Sequence, residues 1–439
     1  TEEQRVYYPS SRKNREVEFW EVIAEENPVG VIGVPTTYPP KDMDGFVVSG
    51  APDAENDGYT NPASLQEELE DEIGYQVNSR YRMKVHPDKA TEEMLELIDL
   101  RYRAAKYLIE EYDINFLQVT TFYLNTLQHF LWDDEATLQA WKIVDSHLGD
   151  FLDSDSNVVL MSDHGSTAID TVFHLNTWLA EEGYLVLNKG SSDVAFKLGI
   201  TKERLIRLTT ALGLKNFARR IVPRSIRHQI PHQEGGVRFE GKAKAIDWKR
   251  TTAVASGQGV LYLNCESPEE KERLQDEIIE KLQSLRAPDG RPIAEDIYCK
   301  EDIYEGKYLD EAPDILLDQT EGIHIPGSMR REEIFTSAQT EGWKAENKRN
   351  GLFVANGPAF GESEVDPLSI LDLAPLFLHL HDYGIPEQMD GKVPYEVFSA
   401  GSDPAVRVPT YITRGPSSDY CSSPSDDLQE RLTDLGYLD

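Results

Sequence analysis

Short apolar runs alternate along the chain with longer amphipathic stretches. Val29–Val34 and Asn157–Asp163 are apolar runs of strand length, and they predict buried strands. Thr91–Tyr112 and Glu135–Phe151 place apolar residues at helical spacing with charges between them, so they predict helices. Strands that alternate with helices are typical of an α/β fold with a mainly parallel sheet covered by helices.

Other segments extend this pattern. Further strands are predicted in NFLQVTTFYL, AIDWKRTTAVA, GVLYLN, APDILLD and GLFVANGP. Helix starts are predicted at the capping boxes Ser64–Glu67 and Ser267–Glu270, and at Asp366-Pro367 ahead of LSILDLAPLFLHL. Ligand sites of open α/β sheets lie at the carboxyl ends of the parallel strands, so polar residues that directly follow strands are the candidates for chemistry.

One internal segment differs from the rest in composition. Asp193–Lys242 is richer in Arg and Lys, and its helical stretches are broken by two prolines. We interpret it as an inserted helical cap, which gives a core in two parts, 1–192 and 243–439, the second with a C-terminal tail. A basic cap could attract an anionic substrate, and a solvated helical hairpin is the alternative.

The net charge excludes some classes of partner. Lys and Arg number 44 against 78 Asp and Glu, so the formal net charge is 44 − 78 = −34. A surface this acidic repels duplex nucleic acid and anionic bilayers. No apolar run approaches the roughly 20 residues that a membrane-spanning helix needs. The scattered acids predict either an ordinary solvated surface or adaptation to concentrated salt, as in halophiles.

The cysteines and the first residues bear on location. Cys265, Cys299 and Cys421 are odd in number and share no CxxC spacing, so they predict neither a disulfide framework nor a thiolate metal site. The segment that starts at Thr1 has no apolar signal-peptide core. These features favour a reducing compartment, and we predict a cytoplasmic protein.

Two short motifs follow neighbouring predicted strands and could carry chemistry. Asp163 and His164 come directly after the strand ending at Met161, and carboxylate with imidazole suits Zn²⁺ or Mn²⁺. Asn125 and His129 lie four residues apart after the preceding strand and could face the same pocket. The alternatives are a surface turn for the first pair, and a helix-capping Asn with a packed His for the second.

Several stretches resemble one known family. FYLNTLQHFLW, GVPTTYPP and SDHG followed by FHLNTWLAEEGYLVL are similar to predicted phosphohydrolases of the alkaline phosphatase superfamily, the type I phosphodiesterase/nucleotide pyrophosphatase group. Further similar stretches follow in order to the C-terminal ERLTDLGYL. The resemblance implies an alkaline-phosphatase-like core with a mainly parallel central sheet, helices on both faces, two metal ions and a Ser or Thr nucleophile. It implies that Asp163 and His164 bind one metal and that His129 binds the other.

The chain departs from the family's pattern at the second metal. Asn125 stands where the D-x-x-x-H element has its Asp, and Asn347 stands where a late element has a His. A neutral amide oxygen binds zinc poorly compared with carboxylate or imidazole. We therefore expect one or two divalent ions, Zn²⁺ or Mn²⁺, with Asp163, His164, His129, Asn125 and Asn347 as the candidate metal ligands.

The resemblance places the nucleophile before Thr1, and Thr36 or Thr37 is a weaker alternative for that role. Two functions remain open: metal-dependent hydrolysis of small phosphate monoesters or diesters, and a catalytically decayed relative that acts as a binding or structural component. A related transferase chemistry is a third alternative. His379 and His381 are expected to be packed or surface residues, and His174 and His324 receive no role.

Overall fold

The computed structural model describes Ser11, Asn14 and residues 16–152, 155–188, 245–329, 331–338, 342–362 and 364–414. The proposed cap 193–242 and Cys421 lie outside the described residues, and the division of the core at 192 and 243 remains a prediction. The α-helices are α1 (Phe19–Ile23), α2 (Leu65–Ile73), α3 (Pro87–Glu111), α4 (Phe122–Phe130), α5 (Glu135–Leu152), α6 (Leu175–Glu181), α7 (Pro268–Ser284), α8 (Lys300–Ile303), α9 (Leu373–Leu380) and α10 (Asp403–Val406).

The strands alternate with these helices in the first half of the chain and dominate the second half. They are β1 (Val29–Ile32), β2 (Gly45–Val48), β3 (Thr60–Asn61), β4 (Phe116–Val119), β5 (Val158–Met161), β6 (Gly165–Ala168), β7 (Thr171–Phe173), β8 (Ala253–Ala255), β9 (Val260–Leu263), β10 (Ala294–Cys299), β11 (Ile315–Gln319), β12 (Ile323–His324), β13 (Phe335–Ser337), β14 (Ala345–Lys348), β15 (Phe353–Asn356), β16 (Ile385–Pro386) and β17 (Tyr411–Ile412). The predicted α/β class is confirmed.

The first sheet has the order β3-β2-β1-β4. Strands β1, β2 and β4 run parallel, and only the short edge strand β3 is antiparallel. Helices cover both faces of this sheet: Val31 and Val47 pack on Trp20 of α1, while Ile32 and Phe46 share a second core with the apolar side of α3. The carboxyl ends of the three parallel strands therefore meet at one edge, where candidate site residues are expected.

The strands after this sheet pair mainly antiparallel. β5 pairs with β15, and β6 pairs with β14, so the chain beyond Asn157 is joined to segments near its C-terminal third. A second four-stranded sheet, β10-β11-β9-β8, is antiparallel and packs with α6 and α7 around its own core. The predicted β5 is present, but its recorded partner is the antiparallel β15 rather than β4.

Most predicted elements are present, with four corrections. Only the last three residues of AIDWKRTTAVA form a strand, β8, and residues 248–250 form a turn. FYL in NFLQVTTFYL belongs to helix α4, not to a strand. Ser64 precedes α2, but its backbone is already helical and its side chain makes no capping hydrogen bond. Asp366-Pro367 does not begin a helix, because a 3-10 turn at Ile370–Asp372 precedes α9. Ser267 does cap α7, accepting a hydrogen bond from the Glu270 N–H at 3.2 Å.

Candidate functional site

Helix α4 places Asn125 and His129 at the carboxyl edge of the parallel sheet. The helix begins three residues after β4 ends, and its Phe, Tyr and Leu side chains anchor it in the core. Residues four apart lie on one face of a helix, so Asn125 and His129 share a face. His129 is completely buried.

Three contacts fix His129. Its Nδ1 lies 2.7 Å from the carbonyl oxygen of Ala345, which can only accept a hydrogen bond, so Nδ1 carries the proton. Its backbone oxygen accepts a hydrogen bond from the Lys344 N–H at 2.6 Å, and its ring stacks on Trp343 with centroids 4.0 Å apart. Burial lowers the pKa of His129 to about 4. The imidazole is therefore neutral at pH 7, with the lone pair on Nε2, which is the form that binds a metal ion.

Asp163 and His164 follow β5, as predicted. The His164 N–H donates to Asp163 Oδ1 at 3.1 Å, and His164 Nδ1 donates to the Gly165 carbonyl at 2.9 Å. His164 Nε2 then lies 3.6 Å from Asp163 Oδ2. The imidazole is one-quarter exposed and the carboxylate is largely exposed. The pair thus offers two donor atoms to the same open space.

Strand β14 brings Asn347 to the other candidate residues. It pairs antiparallel with β6, which starts directly after His164, and places Asn347 opposite Ser166. Ser166 Oγ in turn donates to Gln128 Oε1 on α4 at 3.3 Å. Nearby imidazoles of His164 and His324 add to the effect of burial on the pKa of His129. The structure therefore brings His164 and Asn347 close to the end of α4 that carries His129.

The sequence analysis did not predict a largely buried, hydrogen-bonded pair of side chains at this place, His324 and Glu346. His324 on β12 donates from Nδ1 to the carboxylate of Glu346, which also accepts a hydrogen bond from the Asn347 N–H at 2.9 Å. Burial alone would raise the pKa of the Glu346 carboxyl, but the His324 and Asn347 hydrogen bonds more than offset burial and the pKa is lowered. The only sequence signal for Glu346 is its position directly before Asn347, in the late element that the resemblance assigns to metal binding.

The residues present do not complete a transition-metal centre. Throughout the described ranges, no three His, Cys, Asp or Glu side chains are arranged to hold a metal ion. Asp163 and His164 supply two suitable donors. The position at His129 has one imidazole and two neutral amides, and within the described residues the Asn347 side-chain oxygen is buried without a hydrogen-bond partner. This second donor set does not fit Zn²⁺ or Mn²⁺.

Thr36 and Thr37, the alternative nucleophiles, lie in the loop that follows β1 and make hydrogen bonds there. The Thr36 N–H donates to Asp53 Oδ1 at 2.7 Å, and Thr36 has a left-handed backbone with φ of 64°. Thr37 is buried, and its hydroxyl donates to the Val34 carbonyl at 2.6 Å. These contacts give Thr37 a structural role in the turn after β1.

Two further histidines of the described residues, His379 and His174, are buried and hydrogen-bonded. His379 Nε2 lies 2.8 Å from the Pro404 carbonyl, and His174 lies between the hydroxyls of Ser328 and Thr336. Both rings are buried, whereas His381 is exposed. The expectation that His379 and His381 are packed or surface residues is confirmed. Among the described helices, none combines the length and apolar character that crossing a membrane requires.

The comparison with protein-family models identifies a family for the chain. The family model of type I phosphodiesterase / nucleotide pyrophosphatase matches residues 1–344, a span that includes Asn125, His129, Asp163 and His164 and ends before Asn347. No curated protein matches the chain. Among solved structures, murine ectonucleotide pyrophosphatase / phosphodiesterase 5 is similar at 14% identity, over 83% of this chain and 70% of that one, with a TM-score of 0.36.

Proposed function

The chain belongs to the type I phosphodiesterase/nucleotide pyrophosphatase family, and from this premise we propose that it hydrolyses phosphate monoesters or diesters with the help of a divalent ion. The observation that carries the proposal is the arrangement after β5. Asp163 and His164 offer a carboxylate and an imidazole lone pair 3.6 Å apart. They do so beside a buried, neutral His129 at the carboxyl edge of the sheet.

The proposed roles follow from the donor atoms. Asp163 and His164 would hold one Zn²⁺ or Mn²⁺, which would neutralise charge on the phosphoryl group and on the attacking oxygen. The Gly165 carbonyl keeps the proton on His164 Nδ1 and so keeps its Nε2 available. The nucleophile remains a prediction, a Ser or Thr in sequence before Thr1. The substrate is a small phosphoester, and a cytoplasmic location also remains a prediction.

A specific observation favours the second candidate, a relative that binds but does not catalyse. Two of the three side chains around the second metal position are amides, and the Asn347 oxygen is buried without a hydrogen-bond partner among the described residues. In-line displacement in two-metal sites uses both ions to stabilise the attacking and leaving oxygens. A chain with a single ion would lose part of that stabilisation, and a chain with none would retain only binding.

Measured turnover of phosphoester substrates distinguishes the proposed hydrolase from the non-catalytic relative. The test uses the full-length protein, stripped of metal and then given Zn²⁺ or Mn²⁺. The substrates are a nitrophenyl phosphodiester and the corresponding monoester. We expect metal-dependent hydrolysis that falls at least 100-fold in D163N and in H164Q, because each change removes a metal donor. Removal of ligand-orienting groups alone already costs roughly 10–100-fold.

The matched controls are D44N, directly before β2, and H381Q, beside the first residue of β4; both make the same changes at the opposite, amino edge of the sheet and should retain activity. Turnover that is independent of metal, or unchanged in D163N, contradicts the hydrolytic proposal. Absence of turnover together with retained binding of a nucleotide or inorganic phosphate supports the non-catalytic candidate.

A further inference from the structure

The candidate ligands of the second metal position are His129, whose imidazole is neutral, and the two amides of Asn125 and Asn347. We infer that this position is a dormant transition-metal site, in which Asn125 and Asn347 alone prevent binding and the substitutions N125D and N347H suffice to restore a Zn²⁺ ion. The inference uses the site of the proposed function but does not depend on turnover.

The first observation in favour of the inference is the set of contacts that hold His129. Metal-bound histidines commonly donate their other ring N–H to a carbonyl or carboxylate, which fixes the tautomer and the ring orientation. His129 donates Nδ1–H to Ala345, is held through its backbone by Lys344, and stacks on Trp343. The ring is thus held in the tautomer and orientation that direct Nε2 away from the Ala345 carbonyl.

The second support is the placement of the two amides. Asn125 lies one helical turn before His129 on α4, so both project from one face. Asn347 lies two residues after Ala345 on β14, and residues two apart in a strand project to the same side. Asn347 lies opposite Ser166, whose hydroxyl donates to Gln128 on α4 at 3.3 Å. Asn125, His129 and Asn347 therefore lie on two elements that are in contact with each other.

The third support is the charge around this position. The buried Asn347 oxygen lacks a hydrogen-bond partner among the described residues, which leaves an acceptor there that a donor or a cation could satisfy. Glu346 adds a buried carboxylate next to Asn347, partly compensated by His324. The amides themselves bring no negative charge, and zinc binds carboxylate and imidazole far better than amide oxygen. Asp at 125 would supply the missing charge, and His at 347 the missing imidazole.

Metal counting tests the inference directly. The parent protein and N125D/N347H are dialysed against a small excess of Zn²⁺, and bound zinc per chain is measured by plasma mass spectrometry. We expect one additional zinc per chain in the double variant, removed again in the triple variant N125D/H129Q/N347H. The control N115D/N356H makes the same two chemical changes at exposed asparagines and should add none.

A second readout guards against a misfolded variant. The far-ultraviolet circular dichroism of each protein establishes that it is folded, and N125D alone is measured as the milder change, with zinc affinity expected between those of the parent and the double variant. Co²⁺ replaces Zn²⁺ in a parallel titration, because its visible spectrum reports the geometry of a new site. The expected spectrum is that of a tetrahedral or five-coordinate nitrogen–oxygen site.

Three outcomes overturn the inference: folded variants that gain no zinc, an extra zinc that persists in the H129Q triple variant, or a parent protein that already binds zinc through His129. Turnover of the parent is measured on the same samples. Loss of the proposed function would appear as a parent without hydrolysis, and the zinc count of the double variant would still decide this inference.

Discussion

His129 shows how a single buried side chain makes the site sensitive to acid. Its neutral form fits the hydrogen bond to Ala345 and the stack on Trp343, whereas a proton on Nε2 would place a charge in a buried position. The pKa of His129 is lowered to about 4 in the folded protein, against 6.5 for an exposed histidine. The unfolded chain therefore binds more protons between these two values, and folding loses stability as the pH falls through that interval.

The expected size of this effect is about 2 kcal/mol between pH 7 and pH 5. We predict that H129Q, whose amide can still donate to Ala345, loses less stability than the parent over this range. Urea unfolding of the metal-free proteins at both pH values measures the difference. Equal losses in the two proteins would show that His129 does not set the acid sensitivity. Other titrating groups are common to both proteins and cancel.

At the residue scale, the sequence predicts the main candidate site residues but not the largely buried pair of His324 and Glu346 beside them. Asp163, His164 and His129 could be placed because each follows a strand or lies at helical spacing. The pair of His324 and Glu346 could not, because it joins two short strands that are not hydrogen-bonded to each other. A side-chain contact between such segments depends on how they pack and leaves no local periodicity.

Helix starts show, at the scale of the element, which local signals decide structure. Ser64 and Ser267 both precede a helix and are both followed three residues later by Glu. Only Ser267 has the extended backbone that lets its hydroxyl accept a hydrogen bond from the N–H of Glu270, the third residue of the helix. Ser64 is already helical in φ and ψ, so the same pattern makes no capping bond. The sequence motif alone is therefore not sufficient for capping, because the N-cap residue must also have an extended backbone.

These two serines form a matched pair for measurement. We predict that S267A lowers the free energy of unfolding by about 1 kcal/mol, because it removes an N-cap acceptor. S64A should change it by only a few tenths of a kcal/mol. S267D should retain most of the stability, because Asp is an equally good cap. Urea unfolding of the three variants decides the matter, and equal effects of S64A and S267A would contradict the role assigned to the cap.

The whole molecule carries a net charge of −34, and this excess of acid opposes its compact state. Like charges spread over one surface repel each other, and the repulsion falls as salt shortens the Debye length from about 10 Å at 0.1 M to about 3 Å at 1 M. Such acidity would also repel a phosphoester at long range, so any attraction of substrate has to come from local groups such as a bound metal ion. The same charge that keeps copies of the chain apart thus acts against substrate capture in dilute salt.

We predict that the melting temperature rises steadily as NaCl increases from 0.05 M to 1 M, because screening relieves this repulsion. Glycine betaine, a zwitterion that adds osmolality without ionic screening, serves as the control. A melting temperature that stays flat or falls in NaCl would contradict the prediction. An equal rise in betaine would show that exclusion of solute from the surface, not screening, is responsible.

The pairing of β5 and β6 with late strands has a consequence for how the protein is made. The bond from Leu352 to Ser162 spans 190 residues, and the bond from His129 to Ala345 spans 216. A ribosome adds about 5–20 residues per second, so the early strands wait roughly 10–40 s for their partners to emerge. During that interval, β5 lacks its partner strand β15, and His129 lacks the Ala345 carbonyl that orients its ring. The contact between His129 and Ala345 can therefore form only late in synthesis, after Ala345 has left the ribosome.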